Sequence, residues 1–218
     1  MHFVWFGIVL CSAQGIAATQ QHDTDQHSSS TDHSKHQAQL KTAGQQSREI
    51  AVSTISLPNV LLINEQGEEI AVYDDLIKNK IVVINTIFTT CTTICPIMGV
   101  QFARLQKELQ HQFGSRKIAQ DILLISVSID PINDTPQRLQ AWKAKFHGGP
   151  GWTLLTGPIS DVNKLLKAAG LFAADPEDHT PITLVGSARQ NQWVRVSGLG
   201  SVDQIVNLVS QLVTTNDS

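Results

Sequence analysis

One three-layer α/β domain, running from about residue 50 to 213, is the fold class this chain predicts, and three observations carry the expectation. Short β-branched runs alternate with stretches whose apolar residues recur at helical spacing, as in a sheet covered by helices on both faces. Gly or Pro punctuates most of the junctions between them. From residue 19 to about 48 the composition is too polar to build a core, and the apolar segments of the domain begin after it.

The elements follow in order. Val60 to Ile63, a turn through Asn64-Glu65-Gln66-Gly67, and Ile70 to Val72 predict a hairpin at the start of the domain. Ile81 to Phe88 is short, apolar and β-branched, which suits a strand buried on both faces. Pro96 fits a first helical turn, and Met98, Phe102, Leu105, Leu109 and Phe113 form one apolar stripe that Gly114 ends. Asp121 to Ile129 predicts a second buried strand. Thr135 as cap and Pro136 as first residue then open a helix with Leu139, Trp142 and Phe146 on its inner face, broken at Gly148-Gly149-Pro150-Gly151. Trp152 to Leu155 predicts a short strand. The helix after it is capped by Ser160, turns Val162, Leu165, Leu166 and Ala169 inward, and closes at Gly170. Pro181 to Gly186 and Gln192 to Val196 predict an antiparallel pair. Ser201 with Gln204 three residues on is a capping-box pattern for a last helix that buries Ile205, Leu208, Val209 and Leu212. No internal repeat and no second domain is visible.

Outside this domain, residues 1–18 read as a signal peptide. Their apolar segment is too short to span a bilayer and ends in small residues, which places cleavage near Ala17 or Ala18. No Lys or Arg precedes the segment, and an uncleaved N-terminus would instead anchor the chain to a membrane. Cys11 follows the bulky Leu10, unlike a lipid-attachment site. Residues 19–48 read as a disordered tether in which His22, His27, His33 and His36 either bind metal loosely or are incidental. The chain is thus expected to be exported, to a periplasmic or other extracytoplasmic compartment. A net charge of −3 with no basic run gives no electrostatic footprint for nucleic acid.

The chemistry concentrates at Cys91 and Cys95, four residues apart where the first buried strand gives way to the helix. A helix N-terminus favours thiolate over thiol. One helical turn separates their Cα atoms by roughly 6 Å, within reach of a disulfide. The pair therefore suits a structural disulfide, a redox cycle or a soft metal such as Cu(I). His179, in the loop before a predicted strand, is the candidate third ligand, because loops at strand ends meet over such a site. Pro181 is similar to the cis-proline that faces the cysteine pair in thioredoxin-like folds. His111 and His147 belong to helix ends, and Met98 to the core. Asp130 and Asp134 are explained by turn and capping duties or as support for the site.

Phe88-Thr89-Thr90-Cys91 through Cys95-Pro96, Ser128-Ile129-Asp130-Pro131 with Asp134-Thr135-Pro136, and Asp178-His179 together resemble the three signature blocks of the Sco family. The resemblance covers about residues 50 to 213 and implies a thioredoxin-like three-layer α/β sandwich with an N-terminal hairpin. It implies a copper metallochaperone for the binuclear copper centre of cytochrome c oxidase, with Cys91, Cys95 and His179 as ligands and an oxidase subunit as copper-accepting client. Thr92 stands where many members have proline, and His179 is followed by Thr-Pro. Other readings remain. In a thiol-disulfide oxidoreductase, Cys91 attacks a client disulfide, Cys95 resolves the intermediate and a thiol-disulfide reductase is a partner. A thiol peroxidase uses the same two cysteines. A metal-sequestering stress protein would rely on the His tract.

Overall fold

The computed structural model describes residues 52–176 and 180–216. The expectations for the signal peptide, the His-rich tether and Asp178-His179 lie outside the described residues. Among these residues eight strands form one sheet: β1 (Val52–Ser53), β2 (Leu61–Asn64), β3 (Glu69–Ala71), β4 (Ile81–Ile87), β5 (Ile122–Ser128), β6 (Trp152–Thr156), β7 (Ile182–Ser187) and β8 (Gln192–Ser197). Their order across the sheet is β1-β8-β7-β4-β5-β6-β2-β3. β4, β5 and β6 are parallel neighbours, and every other pairing is antiparallel. The helices are α1 (Ile94–Phe113), α2 (Ser115–Gln120), α3 (Pro136–Lys145), α4 (Ile159–Ala169) and α5 (Val202–Asn216).

Side chains alternate across a pleated strand, so β4 feeds two cores at once. Ile81, Val83 and Ile87 pack with Phe102, Leu105 and Leu109 of α1, Leu139 and Trp142 of α3, and Ile205 and Val209 of α5. Val82 and Ile84 pack on the opposite face with Ile125 of β5 and Val162, Leu165 and Leu166 of α4. That is the three-layer sandwich expected, and every residue of β4 and β5 is buried. Each such aliphatic side chain contributes about 1.5–3 kcal/mol, which makes these two strands the rigid floor beneath the loops at their C-terminal ends.

The predicted hairpin forms as β2 and β3. Thr135 caps α3 as expected, its hydroxyl accepting from the Arg138 N–H at 3.3 Å, with Pro136 first in the helix. Gly170 closes α4 in the left-handed conformation at φ 68°, where a β-carbon would collide with the Arg195 guanidinium that binds the Ala169 carbonyl. Two caps differ from expectation. α4 begins one residue before Ser160, and the carbonyl of Pro158 takes the N–H groups of Asp161 and Val162, so Ser160 has no capping duty. Ser201 caps α5 by an ordinary N-cap bond in place of the box, its hydroxyl accepting from the Asp203 N–H at 3.2 Å. α2 and a wide, π-helical turn at Val72–Ile77 are further elements with no signal in the local pattern. No helix among the described residues is long and apolar enough to cross a membrane.

Candidate metal centre

β4 leaves the sheet between β5 and β7, and residues 88–93 carry the chain over its edge into α1. A turn from the Cys91 N–H to the Phe88 carbonyl, 3.3 Å, lifts Cys91 to a half-buried position. Cys95 lies in the first turn of α1 and is fully buried. Both are free thiols. Thr93, at the helix N-cap, makes no side-chain cap bond, so first-turn N–H groups need other acceptors. One of them, from Cys95, donates to Cys91 Sγ at 3.4 Å. The Thr93 hydroxyl stands 3.7 Å from the same sulfur.

This arrangement separates two chemically identical side chains. Partial burial works to raise the Cys91 thiol, but hydrogen bonds from Cys95 and Thr93 outweigh it and bring the value from 9.0 down to about 7. Burial drives Cys95 the other way, to about 12, with the charge on Cys91 and the nearby Asp134 carboxyl adding to the effect. The pair thus loses its first proton at Cys91.

Asp134 lies under the loop, with no exposed surface. It accepts from the Thr89 N–H at 3.0 Å, the Thr89 hydroxyl at 2.5 Å and the Ser128 hydroxyl at 2.6 Å. Turn duty falls to Asp130, whose carboxylate takes the Asn133 amide, and capping falls to Thr135. Of the two aspartates, Asp134 is therefore the one that reaches the thiol loop. Thr89 and Ser128 stand in the quoted sequence blocks, but nothing in the local pattern marks them as its partners, since Thr89 lies 45 residues away.

The antiparallel register of β7, with Asn85 opposite Thr183, sets Thr180-Pro181 beside the end of β4. The Pro181 carbonyl accepts from the Gly198 N–H at 2.7 Å. A β-carbon on Gly198 would stand 2.9 Å from Met98 Cε and 3.1 Å from that carbonyl, so α1, the start of β7 and the turn after β8 close on one another here. Cys91 and Cys95 are thus brought together, and the chain next to His179 starts β7 at the same end of the sheet. His179 itself lies outside the described residues. Among those described, no three His, Cys, Asp or Glu side chains gather to hold a metal. His111 stands in the last turn of α1, and Met98 is core, as expected.

The sequence model of the SCO1/SenC family matches residues 57–206. This chain belongs to the SCO1/SenC family. It is 34% identical over 95 residues to the SCO1 protein homolog of Bacillus subtilis strain 168, a match covering 43% of this chain and 45% of that protein. The chain spans about half the length of the curated relatives it matches. A SCO1/SenC family lipoprotein from Bacillus anthracis superposes with a TM-score of 0.63 at 28% identity, covering 76% of this chain and 98% of the other. BsSco, a member of the Sco family of cytochrome c oxidase assembly proteins in which a disulfide switch was identified, gives 0.62 at 25% identity over 78% and 99%. Arabidopsis thaliana ScoI with copper bound gives 0.60 at 18% identity over 75% and 99%, which speaks for the fold alone. Sco homologues have thus been solved with copper bound, and the thioredoxin-like α/β fold expected of a SCO1/SenC chain is the fold observed.

Proposed function

We propose that this SCO1/SenC chain is an extracytoplasmic copper metallochaperone that serves assembly of the binuclear copper centre of cytochrome c oxidase, holding copper through Cys91, Cys95 and His179. The observation that carries the reading is the sulfur pair itself: two free thiols within one turn at a helix N-terminus, one half-exposed and one buried. Two thiolates converging on one point suit Cu(I), and a neutral imidazole from the loop before β7 adds a borderline donor. Copper must displace the proton that Cys95 retains, so loading releases protons. The half-exposed Cys91 sulfur offers an oxidase subunit a route to take the metal by ligand exchange. The exported location, and anchoring through an uncleaved N-terminus, belong to this reading.

A second reading, a thiol-disulfide oxidoreductase, is favoured by one observation: the accessible Cys91 thiol is brought down to about 7 while the buried Cys95 is not. His179→Ala separates the two. The chaperone reading expects copper affinity, measured by competition with a chelator, to fall about tenfold or more, while reduction of a model disulfide continues. Unchanged copper affinity with impaired reduction would promote the oxidoreductase instead.

A further inference from the structure

We propose that Asp134 is a positioning residue for the sulfur pair, acting through Thr89; only the copper arm of its test rests on the copper reading above. Both hydrogen-bond donors of Thr89 end on this carboxylate, the N–H at 3.0 Å and the hydroxyl at 2.5 Å. Thr89 is two residues from Cys91, and the turn between them is closed by the Cys91 N–H on the Phe88 carbonyl. The carboxylate is in turn fixed from below by the Ser128 hydroxyl, which itself accepts from the Asp130 N–H at 3.1 Å. The loop that carries Cys91 is thereby tied to the end of β5, one of the two most deeply buried strands.

A carboxylate shut away from water is costly unless donors surround it. Replacing both partners of a buried hydrogen bond by apolar groups of the same shape can be nearly neutral, so the fold alone does not require this carboxylate. Capping and turn formation are already assigned to Thr135 and Asp130. What Asp134 holds is the height and orientation of the segment from Phe88 to Cys91, and with it the placing of Cys91 Sγ over the Cys95 N–H.

The test compares Thr89→Val, Thr89→Ser and Asp134→Asn in the full chain with two readouts besides melting temperature. One is Cu(I) affinity by chelator competition. The other, free of metal, is the equilibrium in which the two thiols reduce oxidised glutathione to two reduced glutathiones and become the Cys91–Cys95 disulfide, which reports how well the sulfurs are placed for each other. Thr89→Val and Asp134→Asn should weaken copper binding about tenfold and shift the glutathione equilibrium several-fold, with Thr89→Ser close to wild type on both. Both readouts within twofold of wild type in Thr89→Val would overturn the proposal, whether or not Asp134→Asn folds. A wild-type chain that fails to retain copper would sink the copper reading alone, and the glutathione readout would still decide the role of Asp134.

Discussion

Glu65 and Asp134 are carboxylates removed from water to nearly the same degree, 3% and 0% exposed, and they are compensated in opposite ways. Glu65, in the hairpin turn after β2, takes the Lys143 ammonium at 2.6 Å and the Leu154 N–H at 2.9 Å, joining the hairpin to α3 and β6. Asp134 receives only neutral donors, two of them from the loop that carries Cys91. A cation makes the first a structural rivet whose loss leaves a buried charge unpaired. The second has no counter-charge among the described residues, and its influence runs to the thiols. Burial alone does not say which polar group serves the fold and which serves the site; the identity of the donors does.

The largest effect that bears on this contrast is expected from Glu65→Gln, which strands Lys143 and should cost about 3 kcal/mol in denaturant unfolding. Thiol reactivity should be untouched, and a change in it would break the contrast. Burial works to raise the Glu65 carboxyl, but Lys143 and the Leu154 N–H hold it below its ordinary 4.5. As pH falls, the unfolded chain therefore takes up the proton first. The contribution of the pair is complete above about pH 4.5 and is lost as pH drops through the lowered folded value, so the gap between wild type and Glu65→Gln should close in acid.

Next in size is the inequality of the two sulfurs. With values of about 7 and about 12, iodoacetamide should modify Cys91 with half-maximal rate near pH 7 while Cys95 stays protected, as read by mass spectrometry. At pH 7 the thiolate fraction of Cys91 is about fifteen times that of an ordinary thiol. Equal labelling of both would contradict the hydrogen-bonded geometry. The smallest effect sharpens the picture further: Thr93→Val removes one distant hydroxyl from Cys91 and should slow its alkylation at pH 7 about twofold.

Much of this was legible in local pattern. The stripe of Met98, Phe102, Leu105 and Leu109 is buried, and β4 and β5 fall within a residue or two of their predicted bounds. What stayed hidden depended on partners distant in the chain. The local pattern carries the second hairpin strand to Val72 and gives nothing for the turn that follows, where Asn59 accepts from the N–H groups of Tyr73 and Asp74, 14 and 15 residues away. α2 buries only Ile118, too little for a periodic signal. Asp134 was visible as a residue but not as a clamp, because an aspartate before Thr-Pro looks like a cap whichever way it points. The cysteines were found because their spacing is itself the chemistry. His179 is marked by its place in the loop before a strand and by its family block, and remains a proposal.

Gly198 gives the site a gauge. Its missing side chain lets the Pro181 carbonyl and the tip of Met98 meet across it, so the gap between the sulfur-bearing helix and the segment leading from His179 into β7 is set by an atom that is not there. One methyl group at this position would have to be met by a turn of Met98 and a few tenths of an ångström of retreat at Pro181. The closeness of α1 to the start of β7 is therefore set at a residue of the turn after β8 that has no side chain of its own.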